Sequence, residues 1–239
     1  MVFIESVWRM SDEADKDVFG NRLVKDLSKL SGENKPVAYD SDVFYGHTLD
    51  EWHNYNARAY REGDREVKGS TYLKDLSTSR TAVYRNKYGQ YIVASHGVDL
   101  SGSTPFQDIY SAAKNGSGIG DDEYLAELRD IVGRLPQDGE VILTGHSLGG
   151  AVSRKLALEK NLKSILINPL TTPATPAPGE QTKTFVVRGD IVAEYAFLQP
   201  GETYLVEYKE DTPHQTNNLR SNPDDRKIRE YWETERSVM

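Results

Sequence analysis

Residues Val141 to Ser153 read VILTGHSLGGAVS, and this stretch decides the fold. A short apolar run leads into a serine set between two glycines, and helix-forming residues follow without a break. Gly145, Ser147 and Gly149 fit the G-x-S-x-G nucleophile elbow. Such a turn from strand to helix is so tight that a Cβ at either glycine would collide with neighbouring backbone, while the serine occupies the strained apex. The Ser147 hydroxyl is thereby pushed out of the sheet. The helix behind it aims backbone N–H groups and the positive end of its dipole at the point where an oxyanion would develop. Leu148, next in the chain, is the expected donor of one of those N–H groups.

Working outward, the helix after the elbow is expected to run to about Lys160, and SILINPL at 164–170 reads as the next buried strand. Strand, helix, strand in that order is a parallel crossover. TTPATPAPGE at 171–180 has too many prolines for regular structure, TFVVRGD at 184–190 and TYLVEYKE at 203–210 read as strands, and the polar tail could close with a helix through Ile228, Tyr231 and Trp232. On the N-terminal side, residues 122–135 pattern as a helix closed by Pro136, and TAVYR, NKYGQ, YIVASHG predict an antiparallel hairpin with Gly89 in its loop. Between them, Phe106, Ile109, Tyr110 and Ala113 give an apolar face to a helix at 105–114, a candidate lid. NGSGIG behind it reads as a hinge, because Asp121 and Asp122 directly after it would repel an anion.

Two further helices are expected, at 12–30 and at 49–61, the second opened by a Thr48 and Glu51 capping box. Neither shows chemistry. His47 and His53 are six residues apart and do not share a face, so both read as surface or packing histidines, and no metal site is predicted.

Composition narrows the function. The 239 residues carry a net charge of −8, with Lys and Arg scattered rather than massed, which argues against a nucleic-acid partner. There is no cysteine, so disulfides, thiolate metal sites and a cysteine nucleophile are excluded. MVFIESVWRM lacks a basic leader and no apolar run approaches the ~20 residues needed to span a bilayer. The expectation is an intracellular soluble protein with at most peripheral membrane contact. We read 1–239 as one α/β domain, with N-terminal helices at 1–62, a core at 81–214 and a polar tail or helix at 219–239.

A serine at its ordinary pKa is a poor nucleophile; it needs a base to take its proton and a carboxylate to orient that base. His146 adjoins Ser147 and points elsewhere, His47 and His53 precede the sheet, and His96 falls where an oxyanion loop is expected. His214, in DTPHQTNN after the last strand, remains as the base. Asp190, between the two in the chain and at the end of a predicted strand, is the favoured acid, with Glu194 and Asp211 in reserve.

At these residues the chain resembles the class 3, or fungal-type, lipases of the α/β-hydrolase fold. The resemblance runs from about Thr81 to His214 and is strongest at GHSLGGA, 145–151. YIVASHGVD looks like that family's strand and oxyanion loop, and GDIVAEYAFLQPGETYLVEY is similar to the segment beginning with its triad aspartate, matching Asp190. The likeness implies a triad of Ser147, Asp190 and His214 and an oxyanion hole that includes Val98. It departs from the family at Val98, which replaces a hydroxyl residue, and at His96, which replaces an arginine, leaving only the backbone N–H groups of Val98 and Leu148 as donors. His214 also follows the last strand sooner than in the secreted lipases, and their disulfides are missing.

The expected fold is therefore α/β, an α/β-hydrolase with a mostly parallel twisted sheet flanked by helices and an antiparallel hairpin at one edge. The expected function is hydrolysis of carboxylic esters, with a lipid or another acyl ester as substrate and no cofactor. Phospholipid hydrolysis or acyl transfer on the same triad is the first alternative. A hydrolase fold kept as a structural or binding protein is the second.

Overall fold

The computed structural model describes residues 36–61, 63–97, 121–171, 175–187, 190, 193, 196 and 201–206. In chain order the elements are β1 (Val37–Ala38), β2 (Val43–Phe44), β3 (His47–Thr48), α1 (Leu49–Ala59), β4 (Ser70–Tyr72), β5 (Thr81–Asn86), β6 (Tyr91–Ser95), α2 (Asp121–Arg134), β7 (Val141–His146), α3 (Ser147–Lys160), β8 (Lys163–Pro169), β9 (Thr182–Val187) and β10 (Glu202–Val206). Eight of the strands form one sheet in the order β1-β10-β9-β8-β7-β6-β5-β4, and β2 pairs with β3 in a small antiparallel ribbon. From β6 to β1 every neighbour is parallel; β5 runs antiparallel to β6, and β4 to β5. The predicted helices at 12–30 and 105–114, the hinge at 115–120 and the C-terminal tail lie outside the described residues.

Period-two alternation puts a core on each face of this sheet. Ala82, Tyr84, Ile92, Ala94 and Ile142 face Leu49, Trp52, Tyr55 and Ala59 of α1. Their chain neighbours Val83, Tyr91, Val93 and Leu143 face the other way, onto Tyr124, Leu128 and Ile131 of α2 and Val152 and Leu156 of α3. Among the described residues, one helix on one face and two on the other leave the central strands covered on both sides, as a parallel sheet requires.

Local chemistry sets the boundaries. At the start of α1 the Thr48 hydroxyl accepts the Glu51 N–H (3.2 Å) and the Glu51 carboxylate accepts the Thr48 N–H (2.8 Å), the reciprocal pair predicted for this helix. α3 stops at Asn161, whose left-handed backbone (φ 53°) turns its N–H back to Ala157 O. In the β5–β6 turn, Gly89 takes φ +79° and donates to Asn86 O at 3.0 Å. β9 begins at Thr182 and ends at Val187, rather than running to 190, because the Asp190 N–H folds back onto Val187 O at 3.1 Å. The hairpin is also not the sheet's rim: β4 lies beyond it. His47 and His53 are buried packing residues, 4% and 1% exposed.

The candidate active site at the nucleophile elbow

β7 delivers the chain to the site. Its side chains are buried almost throughout, and the strand ends at His146, whose extended backbone is followed at once by Ser147 at φ 54°. A left-handed serine is strained by about 1–3 kcal/mol and persists only where its surroundings enforce it. Those surroundings are glycines. A Cβ on Gly145 would stand 2.5 Å from Gly149 O, and one on Gly149 would collide with the carbonyls of Ser95 and His96. The helix can start against the ends of β6 and β7 only because both positions lack a side chain.

The first turn of α3 contains no acidic side chain, so nothing within that turn neutralises the positive end of its dipole. Leu148 lies in that turn, where backbone N–H groups have no acceptor within the helix. This is the placement an oxyanion donor needs. The end of β6 closes on the same point: a Cβ on Gly97 would lie 2.7 Å from Ser147 Cβ and 3.2 Å from His146 O. The loop expected to complete an oxyanion hole therefore leaves the sheet in contact with the elbow serine. Val98 itself lies outside the described residues, as do Phe106, Ile109, Tyr110 and His214.

Three side chains fix His96 and Gly97 at the end of β6. Tyr60, just past the end of α1, accepts the Gly97 N–H at its hydroxyl (2.8 Å), and the same oxygen is 2.6 Å from His146 Nδ1. His96 is 7% exposed; its Nδ1 faces Gly97 O and its Nε2 lies 3.1 Å from Ser79 O, while its ring stacks obliquely on Tyr60 at 4.9 Å between centroids. From the opposite face Tyr124 directs its hydroxyl at Arg80 O (2.7 Å) and His96 O (3.1 Å). Burial pushes the Tyr124 phenol well above its ordinary pKa, so it stays a proton donor. His146 thus engages Tyr60 through its Nδ1.

Asp190 follows β9 and is 1% exposed, with Oδ1 accepting the Ala193 N–H at 3.3 Å. β7, β8 and β9 are consecutive parallel neighbours, so β7 and β9 end at the same rim two strands apart, about 10 Å at ordinary strand spacing, with Ser147 directly after the one and Asp190 three residues after the other. β10 pairs with β9 and runs parallel to it. Glu194 and Asp211, the alternative acids, lie outside the described residues. Among the described residues no group of three or more His, Asp or Glu could hold a metal ion, and no helix is long and apolar enough to cross a membrane.

Tyr60 was not marked by the sequence. Its only local signal is an aromatic residue at the end of an amphipathic helix, which fits packing equally well; its relation to Gly97 and His146 comes from tertiary contact alone.

A mostly parallel open sheet covered by helices on both faces, with a serine elbow at the carboxyl end of a central strand, defines an α/β-hydrolase arrangement. Residues 46–237 match the Alpha/beta hydrolase family, and the chain belongs to that family. No curated protein matches it. Among solved structures it is similar to a mutant form of MDLA from Penicillium cyclopium, with 17% identity, 72% of this chain and 83% of that chain covered, and a TM-score of 0.40. It is also similar to a lipase from Rhizopus microsporus var. chinensis (18% identity, 76% and 83% covered, TM-score 0.37). A third is a mono- and diacylglycerol lipase from Aspergillus oryzae (20% identity, 69% and 79% covered, TM-score 0.34).

Proposed function

We propose that the protein is a serine hydrolase of carboxylic esters, with lipid acyl esters as its substrates and Ser147, His214 and Asp190 as its triad. The observation that carries this reading is Ser147 itself, a non-glycine residue held at φ 54° at the head of a helix, with Gly97 of the neighbouring strand packed against it. Strain of this kind, in an otherwise regular strand-to-helix passage, is the device by which a hydroxyl is presented to a substrate carbonyl.

In the proposed reaction Ser147 Oγ attacks the ester carbonyl carbon while His214 takes its proton, and the tetrahedral oxyanion is met by the N–H groups of Leu148 and Val98. Collapse breaks the bond to the alkoxy oxygen, which receives the proton from His214 and leaves as the alcohol. Water then attacks the acyl-enzyme with His214 again as base, releasing the carboxylic acid and restoring Ser147. Asp190 holds the imidazole in one tautomer and stabilises its cation throughout. The resemblance to class 3 lipases at 145–151 and from Asp190 onward favours lipid acyl esters over other carboxylic esters.

The test is labelling with a fluorophosphonate, followed by turnover of p-nitrophenyl esters of graded acyl length. Labelling at Ser147, its loss in Ser147→Ala, and a fall in turnover of at least about 1,000-fold in that variant are expected. Undiminished turnover in Ser147→Ala removes the serine as nucleophile.

A further inference from the structure

The carboxyl end of β8 stands between the two strand ends that carry Ser147 and Asp190, and it is bonded to both. On the elbow side, Leu170 N–H donates to Ser147 O at 2.8 Å, and Pro169 forms a parallel bridge with Ser147. On the other side the regular ladder with β9 ends at the pair Ile167 and Phe185. Beyond that pair a side chain takes over: Asn168 Oδ1 accepts the Val187 N–H at 2.8 Å, in a fully buried setting. Val187 O in turn accepts the Asp190 N–H at 3.1 Å. Ser147, the 168–170 segment, Val187 and Asp190 are thus joined by consecutive hydrogen bonds.

The backbone of Asn168 explains why a side chain is needed there. Its φ is 42°, in the left-handed region, one strand away from Ser147 at φ 54°. That twist swings residues 169 and 170 toward the elbow, and a strand that turns toward one neighbour cannot keep its carbonyls in register with the other. Asparagine meets both demands: it tolerates left-handed backbone better than most residues, and its amide oxygen replaces the missing ladder acceptor.

We propose that Asn168 is a positioning residue that sets Asp190 against the catalytic base by fixing Val187, the last residue of β9. This rests on the triad reading given above. Without the Asn168 acceptor the end of β9 is released from β8, and Asp190, three residues later, loses its fixed distance from the elbow. The carboxylate then no longer supports the imidazolium, which lowers the pKa of the base. Misplacement of a catalytic group by even 1 Å is enough to cost about 100-fold in rate.

The experiment compares Asn168→Gly, which accepts φ 42° freely but has no acceptor, with Asn168→Ala and Asp190→Asn in the full chain. Turnover of a soluble short-chain p-nitrophenyl ester is measured from pH 5 to 9, and kcat is expressed per site titrated with fluorophosphonate. For the Asn168 variants we expect kcat to fall about 10- to 100-fold with KM nearly unchanged. The acid limb of kcat/KM should move down by about one pH unit, because a base with a lowered pKa stays deprotonated in more acid solution. A purely structural role would lower the titrated fraction and the melting temperature but leave kcat per site and the limb in place, and that result overturns the proposal. If Asp190→Asn retains full turnover, the triad reading fails and the proposal falls with it; if Asp190→Asn is inactive while the Asn168 variants are normal per site, only the proposal falls. Should neither Asn168 variant accumulate, hydrogen exchange decides on the wild-type chain: a protected Val187 amide supports the bond, and one exchanging as fast as exposed amides overturns it.

Discussion

The hydroxyl oxygen of Tyr60 lies 2.8 Å from the amide nitrogen of Gly97, and Gly97 is the residue that packs on Ser147. The residue that caps α1 on one face of the sheet therefore fixes Gly97 at the end of β6. Tyr60→Phe removes the acceptor and leaves the Gly97 N–H without it, which is expected to cost about 1–3 kcal/mol in urea unfolding. The same change should lower kcat on a soluble ester about tenfold, since a displaced loop weakens oxyanion stabilisation rather than substrate binding. Unaltered kcat with lowered stability would confine Tyr60 to a structural part.

Replacing Ser147 separates the strain at the apex from its chemistry. Ser147→Gly and Ser147→Ala should be equally inactive, but glycine relieves the left-handed backbone and alanine does not. A difference of about 1 kcal/mol in favour of Ser147→Gly is expected, read as a melting temperature roughly 2–4 °C above that of Ser147→Ala. Equal melting temperatures would mean that the apex is not strained in solution.

Glu127 on α2 gathers the start of β5 onto that helix. Its carboxylate accepts from Thr78 Oγ1 (2.6 Å), Thr81 Oγ1 (3.1 Å) and Arg80 Nη2 (2.7 Å). Glu127→Gln keeps the shape but loses the charge and one acceptor, and about 1–2 kcal/mol of stability should go with it in denaturant titration, given that Arg80 is one-third exposed. Turnover per active site should be close to wild type.

His47 supplies a pH dependence of stability. Desolvation by burial lowers its pKa, with the nearby Glu51 carboxylate opposing only in part, and its Nε2 lies 2.7 Å from Asn86 Nδ2, where the neutral ring accepts the amide proton. The folded state thus binds a proton more weakly than the unfolded chain does. Its contribution is present above the unfolded pKa of about 6.5 and is lost as pH falls through that value toward the lower folded one. The melting temperature should drop between pH 7.5 and 5, and the drop should be shallower in His47→Gln. Identical slopes would remove His47 from the linkage.

The parts of the fold that were legible in the sequence are those fixed by local rules. The elbow could be read because tight backbone approach at Gly145 and Gly149 admits only glycine, and α1 because Thr48 and Glu51 satisfy each other within one turn. Helices α2 and α3 carried their own apolar periodicity, and their observed limits fall within a residue or so of the expected ones. β1 and β4 were not anticipated, being only two and three residues long, too short for an alternating pattern. Asn168 likewise gave no sign, since a buried asparagine in SILINPL is informative only once its side chain is seen to replace a ladder carbonyl. Around the elbow, the glycine and serine spacing could be read, while the contacts of Tyr60, Tyr124 and Asn168 join segments far apart in sequence.

β1 lies against the last described strand, pairing Val37 with Leu205 and Ala38 with Val206. On the ribosome, the elbow strand is made some sixty residues, and its helix about 45, before β10 is complete. The stretch holding β1 must therefore wait for its partner until β10 has been made. Pairings of such long range form late, because the intervening chain must be organised first. A nascent chain would then carry the serine apex while the β1 side of the sheet is still open, so that the sheet closes outward from the elbow and not from the strand made first.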